Sequence, residues 1–166
     1  MSRRLWFLGF LWLSTLAVAK PAPSFRGELV SGERVSLGDY IKPKKGLLVC
    51  FWATWCIPCM EELRMISEKL KSDPNFPLNV VTVNVDSSET SSDVRSTIAQ
   101  AKLSFPVILD PKHEIFSRYT QGKSLPFSAL IDDQGGLAST YEGLNENLFH
   151  ELQSVLVKVN VIKQAE

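Results

Sequence analysis

The sequence predicts an α/β fold, with a central mixed sheet flanked by helices. Three observations carry this. Apolar runs of strand length alternate with segments of helical periodicity along most of the chain. LLVCFW (47–52) is a continuous apolar run, as a central strand buried on both faces is, and LNVVTVNVD (78–86) reads as the next buried strand. The last two strand-like runs flank a turn with two glycines, so the sheet ends in a hairpin and is mixed.

The elements follow in order. FRGELVSGERVSL (25–37) places Ser31-Gly32 between two partly alternating runs and reads as a hairpin. LLVCFW is the first buried strand. A helix begins within the CIPC stretch, with Met60, Leu63, Ile66 and Leu70 at helical spacing to about residue 71. Asp73-Pro74 ends it. LNVVTVNVD is the next buried strand. A second helix carries Val94, Ile98 and Ala101. FPVILD (105–110) is strand-like, with Pro106 near its start, where a missing N–H is tolerated. A short helix spans about 114–119. FSALID (127–132) and LASTYE (137–142) flank Asp133-Gln134-Gly135-Gly136 as a hairpin. The last helix carries Leu148, Leu152, Val155, Leu156 and Val159 on one core-facing stripe.

Composition sets the class. The chain has 166 residues, 45% of them hydrophobic, which suits one domain with an ordinary core. Its 18 basic and 18 acidic residues balance, and a nucleic-acid binder usually shows a basic excess. Residues 1–19 read as a secretory signal peptide. Arg3 and Arg4 precede an apolar run, and Ala17-Val18-Ala19 supplies the small-x-small cleavage pattern. The expectation is an exported protein, soluble after cleavage; an uncleaved segment would anchor it to the membrane. KPAPS (20–24) is expected as a linker, and 25–166 as the folded domain.

The three cysteines, Cys50, Cys56 and Cys59, fall within ten residues. A structural framework closes long loops, and these close almost none. A zinc site normally takes four ligands, and here there is one pair, with His113 and His150 remote in sequence. Covalent haem requires His directly after the second cysteine, and residue 60 is Met. A dithiol redox centre fits better. The strand LLVCFW delivers the chain to the sheet's C-terminal edge, where open α/β sheets place their sites. A helix N-terminus there favours thiolate over thiol. Pro58 suits the first helical turn. Cys56 is expected at the exposed tip and Cys59 one turn inward. Cys50, inside a strand, reads as a buried spectator.

With those residues in view, VCFWATWCIPCMEEL resembles the active-site stretch of the thioredoxin superfamily, in its extracytoplasmic TlpA/ResA-like branch. The likeness runs from Phe25 to about Val159, through FWATWC, VVTVNVD, FPVILD and LPFSALID, and includes a helix-strand insertion around 90–109. It implies a thioredoxin-like fold and a monomeric periplasmic thiol–disulfide oxidoreductase without a prosthetic group. Its implied partners are protein substrates with disulfides or dithiols, and a membrane or periplasmic electron donor. Cys56 matches the attacking cysteine, Cys59 the resolving one, Trp55 the tryptophan beside the site. Glu62 matches an acid near the sulfurs. Pro126 matches a cis-proline facing the dithiol, so the Leu125 backbone before it would meet an extended substrate. Two positions depart from the pattern. Cys50 stands where thioredoxins have an acid and this branch often has Asn. SLPFS lacks the Gly-Ala-Pro-Glu-Thr of the cytochrome-maturation reductases. The alternative function is a thioredoxin-like module holding Cu(I) through the same cysteines. Peroxidases of the superfamily usually carry Thr-x-x-Cys instead.

Overall fold

A computed structural model of the chain describes residues 20–89, 91–122 and 124–159. The expected signal peptide, residues 1–19, lies outside them. The elements follow the expected order. β1 (Arg26–Leu29) and β2 (Arg34–Ser36) form the first hairpin. A 3₁₀ turn over Leu37–Asp39 follows, closed by Ser36 N–H and Oγ–H donating to Asp39 Oδ2 at 2.7 and 2.9 Å. Then come β3 (Gly46–Trp52), α1 (Ile57–Ser72), β4 (Leu78–Asn84) and α2 (Ser91–Gln100). β5 (Val107–Leu109), α3 (Glu114–Thr120), β6 (Phe127–Ile131), β7 (Leu137–Glu142) and α4 (Leu148–Lys158) complete the domain.

The strands form one mixed sheet in the order β2-β1-β5-β4-β3-β6-β7. β3, β4 and β5 run parallel, while β6 pairs antiparallel with both β3 and β7. The two runs read as buried strands therefore hold the middle of the sheet, where both faces are covered. The inserted strand β5 lies between β4 and the N-terminal hairpin. It is shorter than FPVILD suggests, because only three residues are in strand geometry. Pro106 stays outside the strand and contributes its carbonyl, which accepts from Thr82 N–H at 2.9 Å.

Helices cover both faces. Side chains alternate along β3. Phe51 packs its ring on Phe116 and Tyr119 of α3, at centroid distances of 5.3 and 5.4 Å. Gly46 belongs to the opposite face, and a Cβ there would lie 2.5 Å from Leu156 Cδ2 of α4. The missing side chain is what lets α4 pack this close to β3. Cys50 shares Gly46's face, and its cross-strand neighbour Ser128 is bonded to Glu62 of α1. So α1 and α4 cover one face and α3 the other. Residues 20–24, the expected linker, are hydrogen-bonded to the domain. Ala22 N–H donates to Gly135 O at 2.9 Å, and Leu137 N–H donates to Lys20 O at 2.8 Å. Tyr119 Oη donates to Pro23 O at 2.6 Å.

Candidate redox site

The ends of β3 and β4, the start of β6 and the end of β7 meet at one edge of the sheet. β3 stops at Trp52, and the chain turns through Ala53-Thr54-Trp55 into α1. Cys56 N–H closes the turn on Ala53 O at 3.1 Å. Cys56 is the N-cap of α1, with extended backbone, and its Sγ accepts from Cys59 N–H at 3.3 Å. Pro58 lies in the first turn, where its missing N–H leaves no gap in the ladder. A disulfide joins Cys56 to Cys59, with the Cα atoms 5.3 Å apart. One helical turn separates the two residues, which is why a two-residue spacing brings the sulfurs together.

The exposed tip is not Cys56 itself. Cys56 is 4% exposed and Cys59 1%, whereas Trp55 is 68% and Ile57 83% exposed. The physical reason is the cap. The Cys56 side chain folds back over the first turn toward Cys59, and its two chain neighbours take the outward positions. The sulfur is thus framed by two large apolar side chains.

A clamp behind the turn holds it in place. Thr54 N–H and Oγ–H donate to the two oxygens of Asp86, at 2.8 and 2.6 Å. Asn84 Nδ2 donates to Asp86 Oδ2 at 2.7 Å, and Asp86 N–H returns a bond to Asn84 Oδ1 at 3.2 Å. Asn84 and Asp86 are both buried. Val85 N–H adds a backbone bond to Trp52 O at 2.9 Å. A buried carboxylate with several donors is satisfied and rigid, so the segment before Cys56 is fixed to the end of β4.

Beneath the helix lies a buried polar group. Glu62 is 3% exposed, and its Oε1 accepts a hydrogen bond from Ser128 Oγ of β6. Burial pushes the Glu62 carboxyl above the ordinary range, and the Ser128 bond pulls it partly back. Cys50 stands opposite Ser128 on β3 and is fully enclosed. Burial pushes its thiol well up, and the charge of Glu62 adds to that. Cys59 Sγ lies 4.0 Å from the carbonyl oxygen of Phe51, the residue after Cys50. Phe51 in turn is level with Phe127 of β6. The bond between Leu125 and Pro126, just before that strand, is cis. Pro126 is buried and Leu125 half-buried. Pro126 O accepts from Gly143 N–H at 2.8 Å, which ties the segment to the end of β7.

The AhpC/TSA family profile matches residues 18–140. The chain belongs to the AhpC/TSA family. It is a thiol–disulfide oxidoreductase with a thioredoxin-like fold. It is similar to sporulation thiol-disulfide oxidoreductase A of Bacillus subtilis, at 32% identity over 83% of this chain and 81% of that protein. The thiol-disulfide oxidoreductase ResA of the same organism is 27% identical over 89% of this chain and 80% of its own length. Among solved structures, a putative thiol:disulfide interchange protein DsbE from Chlorobium tepidum matches with a TM-score of 0.71 at 27% identity. That match covers 83% of this chain and 96% of the other.

For this AhpC/TSA member, the fold gathers Trp55, Cys56, Cys59, Glu62, Leu125 and Pro126 around one sheet edge and the helix that leaves it. Cys50 lies under them. His113 and His150 take no part: His113 Nε2 is 2.9 Å from Val85 O, and His150 is an exposed residue of α4. Among the described residues, no three of His, Cys, Asp and Glu are grouped to hold a metal ion. Sequence reasoning missed Thr54, Asn84, Asp86 and Ser128. Ser128 left a signal, a hydroxyl in the otherwise apolar FSALI. So did Asp86, an acid at the end of a buried strand, where such sheets place functional groups.

Proposed function

We propose that this oxidoreductase reduces protein disulfides outside the cytoplasm, with Cys56 as the attacking cysteine and Cys59 as the resolving one. The observation that carries the reading is the Cys56–Cys59 disulfide across the first turn of α1, with Cys59 N–H directed at Cys56 Sγ. In the reduced protein that N–H and the helix dipole favour a thiolate at Cys56.

The Cys56 thiolate attacks one sulfur of a substrate disulfide. A Cys56–substrate S–S bond forms, the substrate S–S bond breaks, and the other substrate sulfur leaves as a thiolate that takes a proton. Cys59, losing its proton, then attacks Cys56 Sγ. The Cys56–Cys59 bond forms and the second substrate sulfur leaves. The substrate gains two electrons and the enzyme loses two. A dithiol donor, at the membrane or in the periplasm, returns them by the same exchange in reverse. The two sulfurs hold the electrons, so the cycle runs in a monomer without a prosthetic group. Glu62, buried one turn beyond Cys59, supplies and removes the protons. Trp55, Leu125 and Pro126 form the surface against which the substrate segment lies. The signal-like residues 1–19 support export.

The direction of electron flow is tested by the reduction potential of the Cys56–Cys59 couple in a glutathione or dithiothreitol redox buffer. A value near about −270 mV supports a reductant, and one near about −120 mV makes the enzyme an oxidant instead.

A further inference from the structure

We propose that Ser128 is a positioning residue of the redox centre, holding the Glu62 carboxyl in the orientation from which it exchanges protons with the dithiol. The inference rests on the reading of Glu62 as the proton-handling acid.

Ser128 is fully buried as the second residue of β6, a strand otherwise built of Phe, Ala, Leu and Ile. A buried hydroxyl there is unfavourable unless it is hydrogen-bonded. Its partner is not local: Ser128 Oγ donates to Glu62 Oε1, across 66 residues of chain. The sheet sets the position. Ser128 pairs with Cys50 of β3 on one side and with Tyr141 of β7 on the other. The Phe51 carbonyl, next to Cys50, is the group 4.0 Å from Cys59 Sγ. Ser128 is thus the donor of the β6 strand that faces α1 beneath the disulfide.

The chemistry of the pair follows from its donors. A serine hydroxyl has one proton to give, and Ser128 directs it at the carboxyl; Cys50, its other neighbour, is drawn down by Ser128 against the larger rise that burial causes. That leaves the rest of the carboxyl, Oε2 and its proton, to serve the sulfurs. The bond also fixes the side chain at one end. The ionisable groups on this side are Cys50 of β3, Tyr141 of β7, the two cysteines of α1, and Glu151 of α4, which acts on Tyr141. Burial raises the Glu62 carboxyl and the Ser128 bond opposes that rise, so losing the hydroxyl moves Glu62 further up.

The test compares Ser128→Ala, Ser128→Thr and Glu62→Gln in the full chain. The readouts are the pH–rate profile of disulfide exchange and the carboxyl ¹³C titration of Glu62. Near-ultraviolet circular dichroism checks that each variant is folded. Ser128→Ala should move the Glu62 titration, and the matching limb of the profile, upward by about one pH unit, as losing one charge-assisted hydrogen bond does. Ser128→Thr, which keeps the hydroxyl on a β-branched strand residue, should restore it. In the Glu62→Gln background, Ser128→Ala should change the profile no further. A Ser128→Ala profile that coincides with wild type, while Glu62→Gln alters it, overturns the role of Ser128 and leaves that of Glu62 standing. A Glu62→Gln profile that coincides with wild type removes the role of Glu62, and the proposal with it.

Discussion

Removing the Asp86 carboxylate should destabilise the domain and loosen the turn that presents Cys56. Thr54 N–H, Thr54 Oγ–H and Asn84 Nδ2–H are among the donors that converge on it, at 2.8, 2.6 and 2.7 Å. A hydrogen bond to a charged group contributes about 1.5–3 kcal/mol, and a buried donor left alone costs about 1–3 kcal/mol. Thr54 is only half-buried, so water can replace part of what its two groups lose. Asn84 is enclosed, so water cannot replace what it loses. Asp86→Ala should therefore cost about 3 kcal/mol. Asp86→Asn should cost much less, about 1 kcal/mol, because the contacts can be redrawn. Its amide oxygen can occupy the Oδ2 site and keep two donors. Its NH₂ then meets the Thr54 hydroxyl, which can turn and accept. Thr54→Val, which loses one bond, should also cost about 1 kcal/mol. Urea unfolding of the oxidised protein measures all three, with the slope checked for constancy. The exchange rate of the same variants reports the turn: Asp86→Ala should slow it more than Asp86→Asn. If Asp86→Ala unfolds within about 0.5 kcal/mol of wild type, the clamp does not hold the turn and the reasoning fails.

Two further outcomes follow from the buried groups under α1. Cys50→Ala should keep most of the exchange activity, because the thiol is enclosed and burial holds it protonated; a large loss of rate with the fold intact would make Cys50 a third redox thiol. Glu62 should lower stability as pH rises. Its folded pKa lies above the unfolded value of 4.5, so the folded state holds the proton more tightly. That contribution is complete below 4.5 and is lost as pH rises through the folded pKa. Glu62→Gln removes the dependence, so urea midpoints of wild type and variant should diverge between acid and neutral pH, with the variant gaining on wild type. Parallel midpoint curves would show that Glu62 titrates normally.

Much of the fold was legible because its signals are local. LLVCFW is apolar on both alternating faces and LNVVTVNVD carries Val at 80, 81, 83 and 85, and they became the neighbouring strands β3 and β4. Cys56-Ile-Pro-Cys59 marks a helix start through the chemistry of its own first turn, and α1 begins there. What was missed depends on contacts distant in sequence. Thr54 and Asp86 are separated by 32 residues, and Glu62 and Ser128 by 66, so no periodicity links them. The exposure of Cys56 was misjudged for a different reason. Position at a helix tip predicts an outward residue, but an N-cap side chain folds back over its own helix, and Trp55 and Ile57 take the exposed places.

The division of labour between the two sulfurs is the centre of the account, and trapping measures it most directly. Cys59→Ser and Cys56→Ser are each reduced, mixed with a disulfide-bearing protein substrate, quenched by alkylation and analysed by mass spectrometry. With Cys59→Ser, a mixed disulfide on Cys56 should accumulate, since attack proceeds and resolution does not. With Cys56→Ser, none should form, because the remaining thiol lies one turn inward and is 1% exposed in the oxidised structure. A mixed disulfide on Cys59 of the Cys56→Ser variant, with none on Cys56 of the other, would reverse the assignment and contradict the mechanism.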